Sequence, residues 1–327
     1  MFRRNFSVSL ALVFLCLSWT ASIAQSQSFP SRPVTIVVAF APGGPADTLA
    51  RAVVPELSGN LVQPVLVDNR AGAGGKIAMQ TLLRAARDGH TIAYISPSIL
   101  SIAPLVDKDL GYDSQKDILP LTTALRGSNV IAVTASLPVK NLNELVAYSR
   151  ANRGKLNYGS IGIGSWYHLT TEKLLAGLGI EATHVPYKGE APALTDMVAG
   201  NVQLMIVSGA GKAMLDEGKV VGIAATGRSA PSYSPRVIPV RDSGIRALAD
   251  FDETPWIGFG MATGAPADVV SKLHGGLVKA LQSDEVRKRL AVFGEIQTSS
   301  SAELQEIIRK ELASNRQLID SGRVKME

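Results

Sequence analysis

A two-lobed α/β fold is what this sequence of 327 residues predicts, and three observations predict it. Short β-branched runs alternate with helical patterns along most of the chain. The runs fall into two series, and each series carries a glycine-rich turn between a strand end and a helix start. Alternating strands and helices build sheets covered by helices, and the length suits about two domains.

The first series opens with a strand over Val34 to Phe40. A Gly-Pro turn follows, then a helix over Thr48 to Ser58 with Leu49, Val53 and Leu57 at helical spacing. The unit recurs as Val65 to Val67 before Lys76 to Arg87, and as Thr91 to Ile95 before Ser98 to Val106. Three such units predict a parallel sheet. The second series places strands at Val130 to Val133, Leu156 to Tyr158, Ala182 to Val185, Leu204 to Val207 and Val221 to Ala225. Helices at Leu142 to Arg150, Trp166 to Leu178 and Ala191 to Ala199 separate most of them. Residues 226–252, rich in Pro, Ser, Gly and Arg, read as a long irregular connection. Trp256 to Met261 reads as a further buried strand. Helices over Pro266 to Leu290 and Ala302 to Ile319 end the pattern, the last starting at a Ser300-x-x-Glu303 capping box.

The composition, 46% hydrophobic and 19% charged, excludes disorder, collagen and coiled coil. Residues 1–24 read as a secretory signal: Arg3 and Arg4, an apolar run from Val8 to Leu17, then Ser22-Ile23-Ala24, with cleavage expected after Ala24. An N-terminal membrane anchor is the alternative. Leu15 before Cys16 argues against a lipoprotein, and Phe2 before Arg3-Arg4 argues for the general route over the twin-arginine one. Cys16 is the single cysteine, so the mature chain has no thiol for a disulfide, a metal or a nucleophile. The net charge of +5 is scattered. Its longest run, Arg287-Lys288-Arg289, has no aromatic interleaving, so a nucleic-acid surface is not expected. A mildly basic exported protein suits an anionic small molecule.

The usual catalytic signatures fail. There is no G-x-S-x-G elbow and no H-E-x-x-H. Gly75-Lys76 lacks the first P-loop glycine, where Arg70 stands, and Ile77 replaces the Ser or Thr. Gly162-x-Gly164 ends in Tyr167 where a dinucleotide fingerprint needs Gly. His168 and Glu172, one helical turn apart, have no third metal ligand nearby. No enzyme, metal or cofactor is expected.

What the chain does carry is two glycine turns at the carboxyl ends of strands. They are Ala41-Pro42-Gly43-Gly44-Pro45-Ala46-Asp47 and Gly159-Ser160-Ile161-Gly162-Ile163-Gly164-Ser165. Glycine lets backbone N–H groups face a ligand, and a helix N-terminus adds partial positive charge, so such a nest holds a carboxylate without a charged side chain. Ligands of open α/β sheets lie at this end of the strands. Either turn alone is equally read as a tight turn. Asp47 either caps its helix or accepts from the ligand. Ser160 and Ser165 are donors to a carboxylate, and Ser165 is also a natural N-cap. Arg70 to Gly75 is expected to pack near the first nest. Tyr187 either lines the cleft or packs.

At these residues the sequence resembles the tripartite tricarboxylate transporter solute receptors of Bug type. The likeness rests on Pro30-Ser31-Arg32-Pro33, Phe40-Ala41-Pro42-Gly43-Gly44 with Asp47, and Asn69 to Gly75. It continues in Asp88-Gly89-His90-Thr91, Leu156-Asn157-Tyr158-Gly159-Ser160, Ser165 with His168-Leu169, and His184-Val185-Pro186-Tyr187-Lys188-Gly189. It runs from about Phe29 to the end of the sequence.

The resemblance implies a type II periplasmic binding protein fold, with a hinge and a ligand cleft between lobes. Lobe one is expected over 25–127 and 253–327, and lobe two over 128–252. It implies a periplasmic monomer that captures an organic carboxylate without transforming it, and hands it to a tripartite membrane permease or reports it to a sensor. An exported α/β enzyme acting on an anion is the remaining rival. The ligand-binding residues expected are Phe40, Pro42, Gly43, Gly44 and Asp47 in the first turn, and Ser96 and Ser98 after the third strand. From the second lobe come Gly159, Ser160, Gly164, Ser165 and His168, with Tyr187, Val207 and Ser208. Three departures bear on specificity. Pro45-Ala46 removes a hydroxyl before Asp47, Val207 stands where an Asp often ends its strand, and Trp166-Tyr167 replaces smaller residues. Fewer polar groups and more aromatic surface predict a ligand with a hydrophobic or aromatic body over a citrate-like polyacid.

Overall fold

The computed structural model describes residues 28–322, 324 and 326. The expected signal segment, with Cys16, lies outside the described residues. In chain order the first elements are β1 (Val34–Val38), α1 (Pro45–Leu61), β2 (Val65–Asn69), α2 (Lys76–Arg84) and β3 (Thr91–Ile95). A π-helical turn (Ser98–Ile102), α3 (Ala103–Val106) and β4 (Ile118–Arg126) follow. Next come β5 (Val130–Thr134), α4 (Leu142–Ala151), β6 (Asn157–Ser160), α5 (Trp166–Leu178), β7 (Thr183–Pro186), α6 (Glu190–Val198), β8 (Leu204–Val207), α7 (Lys212–Asp216) and β9 (Val220–Ala225). The last are β10 (Trp256–Ala262), α8 (Ala267–Gln282), α9 (Asp284–Leu290), β11 (Glu295–Ile296) and α10 (Ser301–Asp320).

Two sheets result, one per lobe. The first has the order β11-β4-β10-β3-β1-β2 and the second β7-β6-β8-β5-β9. The chain passes from the first to the second at 127–129 and returns between β9 and β10. The parallel sheet expected of the first series is in fact mixed. β1 pairs parallel with β2 and β3, but β10 runs antiparallel to β3 and β4. The reason is that β10 enters from the second lobe: β3 and β4 both run antiparallel to it and so run the same way as β1. β4 reaches its place through the π-helical turn and the single turn of α3. That strand is hidden in the sequence by Pro120 and the polar Thr122-Thr123, which break the apolar pattern.

The inner strands of both sheets, among them β1, β3, β5 and β8, are buried on both faces, which is why they read as continuous apolar runs. In β5, Ile131 and Val133 join one apolar cluster while Val130 and Ala132 join another, as the two-residue period of a strand requires. The larger cluster is continuous from the first sheet into the second lobe through Ile161, Trp166 and Tyr167. Trp256, Tyr158 and Phe259 are among the largest fully buried side chains.

Caps set the helix ends. The Ser300–Glu303 capping box is present, and Asn141 caps α4 by accepting from the Glu144 N–H. The helix expected over Pro266 to Leu290 is two helices, because Ser283 leaves helical geometry to cap α9 through the Val286 N–H. Among the described residues no helix is long and apolar enough to cross a membrane.

Candidate functional site

The carboxyl ends of the parallel strands converge where the lobes meet. The turns after β1, β3, β6 and β8 supply Phe40 and Gly44, Ser96 and Ser98, Ile161, and Ser208 to the wall of one inter-lobe cavity. Its volume is about 60 Å³. Strand direction thus places the site, as in other open α/β sheets.

The lobes are in contact around it. The Ala41 N–H donates to the Lys188 carbonyl at 3.1 Å, and the Trp166 N–H donates to Ser98 Oγ at 2.9 Å. Gly164, at φ +73°, lies so close to α3 that a Cβ would meet a Val106 methyl at 2.7 Å. Only glycine suits both that backbone and that gap.

The two glycine turns are not equivalent. In the first, Gly44 is the N-cap of α1 and has no side chain to cap it, and Pro45 opens the helix at a position where no N–H is needed. Gly44, Pro45 and Ala46, at the uncapped start of this 17-residue helix, form part of the cavity wall. Asp47 does not reach the cavity. It accepts from the Gly43 N–H (3.1 Å), Arg51 (3.0 Å) and Asn69 (3.0 Å), so it ties the turn to α1 and β2. Burial works against its charge, but the bonds from Arg51, Gly43 and Asn69 outweigh it and hold the carboxyl below its usual value. Pro42 and Gly43 are exposed on the outer side of this turn.

The second turn is satisfied internally. The Gly162 N–H donates to Ser160 Oγ, the Gly164 N–H to His168 Nδ1, the Ser165 N–H to the Gly162 carbonyl, and the His168 N–H to the Ser165 cap. Ser160, Gly164, Ser165 and His168 hold the turn in shape and do not line the cavity; Ile161 alone of this turn does. Gly159 packs against Val202 and Tyr187.

The His168 ring stacks on His184 with centroids 3.9 Å apart, while Glu172 accepts from the Tyr158 hydroxyl at 2.6 Å. Burial, and then the neighbouring ring, lowers the His168 pKa to about 3, and burial lowers that of His184 to about 4, so both rings are neutral at neutral pH. Among the described residues no group of three His, Cys, Asp or Glu is placed to hold a metal.

Two further residues of the expected set lie elsewhere. Tyr187 lines an outer groove and donates to Asp196 at 2.6 Å. The Val207 side chain packs in the second lobe's smaller cluster while its carbonyl accepts from Tyr233. Likewise, the turn from Arg70 to Gly75 reaches the second nest: a Cβ on Gly74 would meet the Ile163 carbonyl at 2.9 Å.

Five residues of the expected set line the cavity: Phe40, Gly44, Ser96, Ser98 and Ser208. The structure adds aromatic walls from Tyr94, Trp166, Tyr167 and Trp256, and polar groups on Asn129 and Glu190. No lysine or arginine is among its lining residues. Ser96 is buried there, beside Tyr94. The sequence signal for Glu190 was available, since it opens a helix directly after β7 and a Lys-Gly turn. Trp256 was harder to place, because it enters from the amino end of an antiparallel strand.

The described architecture and this geometry have relatives. Residues 49–323 match the family model of the tripartite tricarboxylate transporter family receptor. A protein of Pseudomonas sp. (strain P51), encoded in the tcbD-tcbE intergenic region, is 33% identical over 296 residues, covering 89% of this chain and 87% of its own. Among solved structures, R. palustris Rpa4515 with adipate superposes with a TM-score of 0.84 at 31% identity, over 90% of this chain and 99% of that one. The periplasmic binding protein BugD superposes with a TM-score of 0.85 at 29% identity, over 91% and 100%.

Proposed function

This chain belongs to the tripartite tricarboxylate transporter receptor family, whose members are solute receptors and not enzymes, and from that premise we propose that it captures an organic carboxylate between its lobes. The observation that carries this reading is the uncapped N-terminus of α1 in the wall of a cavity without a lysine or arginine. Backbone N–H groups at a helix start bind anions, with the dipole adding about 0.3–1 kcal/mol and up to about 2 when shielded from water. Ser96, beside Tyr94, supplies a buried hydroxyl, and Ser98 a second. The aromatic walls then receive an apolar body, which favours aliphatic or aromatic acids over a citrate-like polyacid.

In this reading lobe one is 25–127 with 253–327, lobe two is 128–252, and the two crossings between the sheets are the hinge. The solute is met in the periplasm, after export directed by residues 1–24, and passed to a tripartite membrane permease. A sensor without transport is the second reading, separable by whether the isolated receptor restores uptake when a permease is supplied. That the adipate-bound relative shares this fold supports the ligand class. The test is a thermal-shift screen of residues 25–327 against mono-, di- and tricarboxylates, aromatic acids and acidic amino acids, confirmed by calorimetry. A ligand of the native state alone must raise the melting point with occupancy. Selective stabilisation by carboxylates without product is expected; a protein that answers only to non-acids refutes the proposal.

A further inference from the structure

Lobe two brings a carboxylate, not a cation, to the cavity. Glu190 opens α6, is 2% exposed and forms part of the cavity wall. Three donors converge on it. The Ser208 N–H reaches Oε1 at 2.7 Å, and the Ser208 and Tyr167 hydroxyls reach Oε2 at 2.7 and 3.0 Å. Ser208 Oγ in turn accepts from the Ala210 N–H at 3.1 Å, which leaves its own proton for Glu190. Every partner is a donor, so the set matches an ionised, acceptor-only carboxylate, and Oε1 retains acceptor capacity. Burial opposes that charge and pushes the carboxyl above its usual value. A buried carboxylate is ordinarily balanced by a cation, and no lysine or arginine lines this cavity to do so. Glu190 also stands beside the anion-binding end of α1, since a Cβ placed on Gly44 would lie 3.9 Å from the Glu190 Cβ.

We propose that Glu190 selects among carboxylates: the cavity takes monocarboxylates that also carry a hydrogen-bond donor, an ammonium or a carboxamide, and rejects the dianion of the same skeleton. The inference rests on the carboxylate-receptor reading. The ligand carboxylate sits on the N-terminus of α1 and its donor is accepted by Glu190. A second ligand carboxylate meets a like charge that no lining cation screens. Discrimination therefore comes from repulsion as much as from the new bond.

Calorimetry on matched pairs tests it: 6-aminohexanoate against adipate, glutamine against glutamate, and 4-carbamoylbenzoate against terephthalate. The donor-bearing member of a bound pair is expected to bind at least about tenfold more tightly, as for a hydrogen bond to a charged group. Glu190→Gln, which keeps the shape but can donate, is expected to abolish or invert that preference by strengthening the diacid. The wild-type comparison stands whether or not the variant folds. Wild-type protein that binds diacids or citrate as tightly as the donor-bearing acids overturns the role of Glu190 alone. Wild-type protein that binds no carboxylate overturns the receptor reading and this inference with it.

Discussion

Closure of the cleft is open to a single-atom perturbation at Gly209, which follows β8 in the second lobe. A Cβ there would stand 2.3 Å from the Val292 carbonyl oxygen and 2.8 Å from its carbon, on the segment that joins α9 to β11. Both obstacles are backbone, so no side-chain rotation relieves them. The Gly209 backbone is not in the left-handed region, so Ala is acceptable there apart from the contact. Ordinary C···O approach is about 3.3 Å or more, and Gly209→Ala must separate the segments by roughly 1 Å. Overpacking of this kind costs about 1–3 kcal/mol. If the strain is relieved by opening the lobes, Kd for whichever acid gives the largest thermal shift rises about 5- to 150-fold. Small-angle scattering without ligand should show a larger radius of gyration, while each lobe keeps its circular dichroism. Gly275→Ala is the control, with open space around its Cβ and a position inside α8. It should leave Kd unchanged and stabilise by about 0.5–1 kcal/mol. Gly209→Ala protein that binds and scatters like wild type would refute the view that this contact belongs to the closed state.

Asp47→Ala removes three acceptor contacts that hold the first turn. It should destabilise by about 1–3 kcal/mol in urea unfolding and weaken all bound acids alike; a loss confined to amino or hydroxy acids would place Asp47 against the ligand instead. The stacked histidines set an acid limit. Their folded values of about 3 and 4 lie below the ordinary 6.5, so the unfolded chain takes up protons first. Stability from the pair is full above about pH 6.5 and falls as pH drops toward 4, by on the order of 2 kcal/mol per ring at pH 5. Glu190 and Glu311, whose carboxyls burial pushes up, oppose this trend. The effect is therefore read from the difference between wild type and His184→Gln, which should lose stability less steeply between pH 7 and 5. Trp256→Phe leaves Glu311 without the indole N–H that reaches it at 2.8 Å. About 1–3 kcal/mol of lost stability is expected in thermal unfolding, and an unchanged melting point would show that water replaces the bond.

Strand ends were legible in the sequence because glycine, serine and proline punctuate them, and that is why it singled out Phe40, Gly44, Ser96, Ser98 and Ser208, which line the cavity. Hydrogen-bond satisfaction was not legible. Ser165 and Gly44 both stand at helix starts after glycine turns, yet Ser165 caps its own helix and Gly44 cannot. The difference between a helix start capped by its own residue and one left uncapped lies in one side-chain oxygen. The role of Asp47 was hidden likewise, because Asn69 and Arg51 reach it from separate elements. β4 was missed because Pro120 and two threonines mask a strand that tertiary pairing with β10 enforces. The aromatic residues Trp166 and Tyr167, conspicuous in sequence, do line the cavity, and Tyr167 also orients Glu190.

In the proposed reading, the division of groups between lobes ties affinity to closure. Lobe one supplies the start of α1 with Ser96 and Ser98; lobe two supplies Glu190, Ser208 and Tyr167. A ligand that touches both sets finds them together only when the lobes meet, so its differential affinity for the closed form is what shifts the population. The Ala41–Lys188 and Ser98–Trp166 bonds contribute about 0.5–1.5 kcal/mol each, because water satisfies the same groups when the lobes part. Direct bonds between the lobes also include the Lys173–Glu253 ion pair at 2.7 Å and the Ser232 hydroxyl donating to the Ala291 carbonyl at 3.2 Å. A Ser98→Ala variant exposes this directly, since it removes a lobe-one acceptor for the Trp166 N–H and a cavity hydroxyl together. Ligand-free protein should open further, and a cross-link that holds the lobes shut should restore most of the lost affinity. An affinity that stays low in the cross-linked variant would assign Ser98 to ligand contact alone.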